Sequence, residues 1–187
     1  MKESVKKEGA EWIKAFALGM VIFVFIRIFF FSNYVVEGES MLPTLEEGNK
    51  VVVNKLGYET SDLDRFDVIV FHANEEEDFV KRIIGLPGDK IEYREDVLFV
   101  NDKKVSEPFL KQYRQDSPGG YLTGDFTIED LTGSARVPEG KLFVLGDNRL
   151  GSWDSRQFGF ISAEEVVGKV NLRYWPLKEM EIGRAHV

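Results

Sequence analysis

The sequence predicts a mainly β, antiparallel domain carried behind one N-terminal apolar helix. Residues 15–31 are apolar apart from Arg27, far more so than any later stretch. From Tyr34 onward, short β-branched and aromatic runs alternate with turns rich in Gly, Pro and Asn, which is the texture of hairpins rather than helices. Residues 107–140 differ again, with Pro108, Pro118-Gly119-Gly120, Gly124, Gly133 and Pro138 among polar residues, and read as an inserted ribbon or loop region.

A chain of 187 residues is the size of one domain with room for an insert or a tail. It carries 24 basic and 32 acidic residues, a formal net charge of −8. That balance argues against nucleic acid as a partner, because phosphate binding needs a basic face. There is no Cys, so thiolate chemistry, disulfides and Cys-based zinc sites are excluded. The 2 His residues are too few for a His-rich metal site, and no metal or cofactor is expected.

In order, residues 1–14 are charged and contain Lys2, Lys6, Lys7 and Lys14. The apolar segment that follows, bounded at 15–33, spans about 25 Å as a helix over its most apolar part at ~1.5 Å per residue. A hydrocarbon core is about 30 Å thick, and Trp12-Ile13 on one side and Ser32 to Val36 on the other extend the segment. A core helix would need apolar surroundings on every face. A cleaved leader would need a small-x-small site after Phe31, which is missing. An uncleaved membrane anchor remains, its lysines placing the N-terminus in the cytoplasm and the rest outside.

Then comes Val35-Val36-Glu37-Gly38-Glu39-Ser40-Met41-Leu42-Pro43-Thr44, where a serine sits at a break in an extended stretch. Expected strands are Lys50–Asn54, Phe66–His72, Phe79–Ile84, Leu142–Leu145 and Val170–Trp175, with a hairpin of 91–93 and 97–100 leading through Asn101-Asp102 into 103–105. Leu86-Pro87-Gly88-Asp89 has the residues of a type II turn. Glu75-Glu76-Glu77-Asp78 reads as a solvated hairpin tip. Ser162-Ala163-Glu164-Glu165 is a capping box at a short helical turn. Domain bounds follow: 34–89 with 140–177 for the core, and 90–139 for the insertion. Residues 181–187 read as translated adapter sequence, so His186 carries no functional weight.

Alternation along Phe79-Val80-Lys81-Arg82-Ile83 puts Lys81 on one face with Phe79 and Ile83, and Arg82 on the other. A lysine between two large apolar side chains is either snorkelling or desolvated. To act as a base near pH 8 its pKa must fall by about 2.4 from about 10.4, equivalent to about 3 kcal/mol, which burial can supply. A neutral lysine can deprotonate a serine, so Ser40 and Lys81 form a candidate nucleophile–base pair. The more usual histidine base is open only to His72.

Four blocks now resemble one family. They are Gly38-Glu39-Ser40-Met41-Leu42-Pro43-Thr44-Leu45, Asp67-Val68-Ile69-Val70-Phe71, Val80-Lys81-Arg82-Ile83-Ile84-Gly85-Leu86-Pro87-Gly88-Asp89, and Gly146-Asp147-Asn148-Arg149 through Ser152-Trp153-Asp154-Ser155-Arg156. In content and order, behind an anchor, they resemble the type I signal peptidases, the membrane-anchored leader peptidases of bacteria, in their short Gram-positive form. The resemblance implies a serine endopeptidase that removes signal peptides from exported preproteins. Ser40 would be the nucleophile, Lys81 the general base, and Ser152 a hydrogen-bonding partner that orients Lys81. The oxyanion would meet the Ser40 backbone N–H. Some relatives add a hydroxyl two residues earlier, where this chain has Gly38. Arg82, Asp147, Asp154 and Arg156 would be structural polar residues, the two cations paired with the two carboxylates in a combination left open.

Tyr34, Val36, Met41, Leu45, Phe79 and Val80 match positions lining two shallow pockets, with plain core as their other reading. The partners implied are signal peptides of secretory preproteins, cut after small residues and bound as an added strand, and membrane lipid. The expected location is the bacterial cell membrane, single-pass, with the catalytic domain outside. Oligomeric state is not legible. Two other readings stand beside this one: a self-cleaving repressor-type protease with the same dyad, and an anchored β-module without activity. The anchor and the acidic charge disfavour the first.

Overall fold

The computed structural model describes residues 12–25, 31–55, 63–116, 121–176 and 181–182. Every strand ladder among them is antiparallel. Residues 12–25 form a helix, α1, whose side chains are all exposed. Among the described residues no helix is long and apolar enough to cross a membrane.

The strands of the larger sheet are β1 (Phe31–Val35), β2 (Lys50–Asn54), β3 (Val68–His72), β4 (Asp78–Gly85), β9 (Lys141–Leu145), β10 (Ile161–Ser162), β11 (Val166–Trp175) and β12 (Glu181–Ile182). Their order is β1-β2-β11-β3-β4-β9-β10, with β12 on β11. The second sheet holds β5 (Ile91–Arg94), β6 (Val97–Val100), β7 (Lys103–Val105) and β8 (Phe126–Thr127), in the order β7-β6-β5-β8.

Two stretches outside the expected core bounds join the large sheet. Phe31, Ser32 and Asn33, placed above at the end of the anchor, are strand residues paired with Asn54, Val53 and Val52. The ladder gives their backbone groups partners that a helix end would leave open. Glu181 and Ile182, placed above in the terminal segment, pair with Arg173 and Leu172; residues 183–187 lie outside the described residues.

The short helices are α2 (Lys111–Asp116), α3 (Ile128–Thr132) and α4 (Ser155–Phe158). Thr127 caps α3, its side chain accepting from Asp130 N–H, and Gly133 closes that helix with a φ of 74°. Two-residue turns at Glu95-Asp96 and Asn101-Asp102 have positive φ throughout, the twist that suits a hairpin.

Among the described residues the core has three parts. Val36, Met41, Leu45, Val51, Val53, Val68 and Val70 form one cluster, beneath the serine turn. Ile69, Phe71, Ile83, Leu142 and Val144 belong to a second. In the third, Ile84, Phe143 and Leu145 of the large sheet pack with Ile91, Tyr93 and Leu98 of the small one. Ile128 and Val137, from the 107–140 segment, are buried in that same cluster. The two sheets are thus joined by a shared apolar layer, and the 146–156 loop leaves β9 beside it.

Candidate active site

Ser40 sits in a turn fixed from both sides. Leu42 N–H donates to Glu39 O at 3.2 Å and Leu45 N–H to Met41 O at 2.9 Å, while Met41 and Leu45 are buried below. The turn therefore hangs from apolar anchors with its serine half-exposed. Lys81 lies in β4 opposite Ile69 of β3. Its Nζ donates to Ser40 Oγ at 2.7 Å. The ammonium stands 5.2 Å from the Phe79 ring centroid, and the residue is only 4% exposed. Burial pushes its pKa down from 10.5 to about 8, with the Asp154 and Asp147 carboxylates acting in the opposite direction. A neutral amine at this position can accept the Ser40 proton.

His72 is engaged elsewhere. Its Nδ1 is 2.6 Å from Asp78 Oδ1 at an exposed hairpin end, and Tyr34 O–H donates to the same carboxylate at 2.9 Å. Burial, reinforced by Asp78, pushes Tyr34 up to about 12.

The charged residues divide into two pairs. Arg82 Nε and Nη2 donate to the two oxygens of Asp147 at 2.8 and 2.6 Å, both side chains being fully buried. Arg82 also donates to Phe66 O at 2.8 Å and stacks on Phe109, and the Thr44 hydroxyl donates to Asp147. Arg156 Nε and Nη2 donate to Asp154 at 2.9 Å each. Asp154 also caps α4 and accepts from Gly146 N–H at 3.0 Å. These pairs clamp the 146–156 loop onto β4 and onto its own helical turn.

Ser152 requires a correction. Its hydroxyl is buried but has no hydrogen-bond partner among the described residues, so the expected bond to Lys81 is not formed. The Lys81 amine is bonded to Ser40 instead. Ser152 packs beside Gly146, where an added Cβ would collide with Ser152 Oγ and with the Ser40 carbonyl. Gly146 thus permits the close approach of the serine turn. Of the expected pocket residues, Val36, Met41 and Leu45 are buried in the core cluster, whereas Tyr34, Phe79 and Val80 stay half-exposed.

Three residues of the site escaped the sequence reading. Asn148 N–H donates to Ser40 O at 3.1 Å, and Asn148 Nδ2 to Glu39 O at 3.1 Å. Arg149 is buried, donating to Gly146 O at 3.0 Å, Tyr93 Oη at 2.9 Å, Thr123 Oγ1 at 2.9 Å and Glu107 Oε1 at 2.6 Å. Tyr113 O–H donates to Asn148 Oδ1 at 2.8 Å. The only sequence signal was membership of Asn148 and Arg149 in the Gly146–Arg149 block, since their partners lie far away along the chain.

The chain is similar to known proteins over nearly all of its length. Signal peptidase I of Bacillus caldolyticus is 56% identical over 179 residues, covering 96% of this chain and 97% of that one. Signal peptidase IB of Staphylococcus aureus is 47% identical over 181 residues, covering 95% of each. Among solved structures, a signal peptidase I from Enterococcus faecalis is 43% identical with a TM-score of 0.55, covering 58% of this chain and 96% of that one. The family described as signal peptidase, peptidase S26, matches residues 9–175. With relatives this close and a match this long, the chain belongs to the signal peptidase S26 family.

Proposed function

We propose that this protein is a membrane-anchored serine endopeptidase that cuts signal peptides from exported preproteins, with Ser40 as nucleophile and neutral Lys81 as general base. The observation that carries the reading is the 2.7 Å bond between Lys81 Nζ and Ser40 Oγ, made by a lysine that burial has brought to about 8.

The reaction follows from this geometry. Neutral Lys81 takes the Ser40 proton as Oγ bonds to the scissile carbonyl carbon, and the carbonyl π electrons move onto oxygen. The oxyanion meets the Ser40 N–H, which donates to nothing among the described residues. Collapse breaks the C–N bond, and Lys81 returns its proton to the leaving amine. Water, deprotonated by Lys81, then attacks the acyl ester, and the Ser40 hydroxyl is restored. Phe79 and Val80, half-exposed on the strand that carries Lys81, are the apolar surface offered to small side chains of an extended substrate.

Residues 12–25 expose Trp12 at 78%, Phe16 at 74% and Phe23 at 67%, an apolar surface that hydrocarbon would cover. The helix is assigned to the membrane, with the lysine-bearing N-terminus in the cytoplasm and the β domain outside.

In detergent, the full chain is expected to cleave a preprotein peptide with Ala at the first and third positions before the bond. Ser40→Ala is expected to lose this activity while keeping its β circular dichroism. Cleavage by Ser40→Ala at the wild-type rate would sink the assignment. Protease added outside intact spheroplasts is expected to degrade the β domain; full protection would reverse the topology.

A further inference from the structure

With Gly38 two residues before the nucleophile, no side-chain hydroxyl stands there to assist the oxyanion, and stabilisation falls to the Ser40 N–H. The direction of that N–H belongs to the Glu39–Ser40 peptide unit. A trans peptide is planar, with its C=O and N–H opposed, so whatever holds the Glu39 carbonyl aims the Ser40 N–H. Two donors hold it. One is Leu42 N–H at 3.2 Å, from within the turn. The other is Asn148 Nδ2 at 3.1 Å, from 109 positions along the chain. Asn148 also grips the next carbonyl, its backbone N–H donating to Ser40 O at 3.1 Å.

The Asn148 amide is itself oriented. Its Oδ1 accepts from Tyr113 O–H at 2.8 Å and from Gly151 N–H at 3.1 Å. An oxygen that receives two donors faces away from Glu39 and leaves Nδ2 turned toward it. Tyr113 lies on α2, in the segment between the two halves of the large sheet.

We propose that Asn148, oriented by the Tyr113 hydroxyl, is the positioning residue that aims the oxyanion donor of Ser40. The inference rests on Ser40 being the nucleophile. Neither side chain touches the substrate; both act through one peptide plane. The α2 segment thereby has a part in the chemistry, as the outer end of a strut that reaches the nucleophile.

The test uses the full chain in detergent and a preprotein peptide. Asn148→Ala removes the side-chain amide but keeps the backbone bond to Ser40 O, and Tyr113→Phe removes only a hydroxyl. Loss of a whole oxyanion donor costs about 10²- to 10³-fold, so a misaimed one is expected to lower kcat about tenfold or more in Asn148→Ala. Tyr113→Phe is expected to lower kcat several-fold. In both variants KM should hold, and the pH midpoint should stay near that of wild type, because Lys81 is untouched. Affinity for a peptide aldehyde, which becomes tetrahedral on Ser40, should fall in step with kcat/KM, while affinity for the matching peptide alcohol should not.

Undiminished kcat in both variants overturns the inference, as does a loss that shifts the pH midpoint or weakens aldehyde and alcohol binding equally. If Asn148→Ala does not fold, Tyr113→Phe decides by the same readouts. A wild-type chain that cleaves no preprotein peptide overturns the functional reading and this inference with it. An active wild type with unaffected variants overturns the inference alone.

Discussion

Lys81→Arg is expected to be inactive from pH 6 to 10, with kcat reduced about 10⁴-fold or more, as when one member of a catalytic unit is removed from other serine proteases. Guanidinium keeps its proton throughout that range. Wild-type activity, by contrast, should rise about tenfold per pH unit below a midpoint near 8 and then level off, following the neutral fraction of Lys81. Near-wild-type rates in Lys81→Arg would show that Lys81 is not the base.

The same burial makes a stability prediction with the same direction in pH. Folded Lys81 titrates at about 8 and unfolded lysine at 10.5, so between those values the unfolded chain binds more protons and stability rises with pH. Below about 8 both states hold the proton, and the full cost of burying the charge, about 3 kcal/mol, is present. Above 10.5 neither state is charged and the cost is gone. Lys81→Met keeps most of the volume and removes the charge. It is therefore expected to be inactive yet at least as stable as wild type at pH 7, with its advantage fading toward pH 10.5. Thermal unfolding across this range checks the sign, and a Lys81→Met chain markedly less stable at pH 7 would contradict it.

Arg82→Ala or Asp147→Ala is expected to destabilise the fold by about 3–5 kcal/mol, the cost of leaving one member of a buried ion pair without the other. For a chain of this size that lowers Tm by about 6–20 °C. Both side chains are fully buried and the contact is bidentate. Arg82→Met combined with Asp147→Leu should lose much less than the sum of the two single changes, because no charge is then left stranded. Single variants within 1 kcal/mol of wild type would show that the pair carries little.

Much of the β framework could be read from local pattern. Lys50–Asn54 is a β-branched run between turns, and the structure gives the strand those bounds. The capping box at Ser162 appears as a short helical turn. Misses occur where one residue departs from the pattern for a tertiary reason. Phe66 takes a φ of 76°, so the strand expected from Phe66 starts at Val68. The last strand begins at Val166, earlier than Val170, and runs through Gly168, which looks like a breaker. A Cβ there would collide with Asn54 O, so glycine is what lets β11 lie against β2.

At the site, strand alternation singled out Lys81, a local property, while Ser40 and the four structural charges came from the family resemblance. What held the serine turn was legible in neither. Asn148, Arg149 and Tyr113 act on partners brought near only by the fold, and no period in the sequence marks such contacts. Ser152 shows the converse: a residue placed in its motif can still lack the hydrogen bond expected of it.

The bond from Asn148 to Glu39 closes a span of 109 positions, and that from Thr44 to Asp147 one of 103. Contacts of such separation form after local ones, since the chain must first surrender the freedom of the whole intervening loop. During synthesis, Ser40 and Lys81 both emerge long before Asn148 and Asp147. A chain extended only through β4 already owns the hydroxyl and the amine, but it lacks the Asn148 bond to the turn and the Asp147 carboxylate that pairs with Arg82. The contacts that brace the serine turn from outside are therefore complete only once the chain has been made through β9 and the loop that follows it.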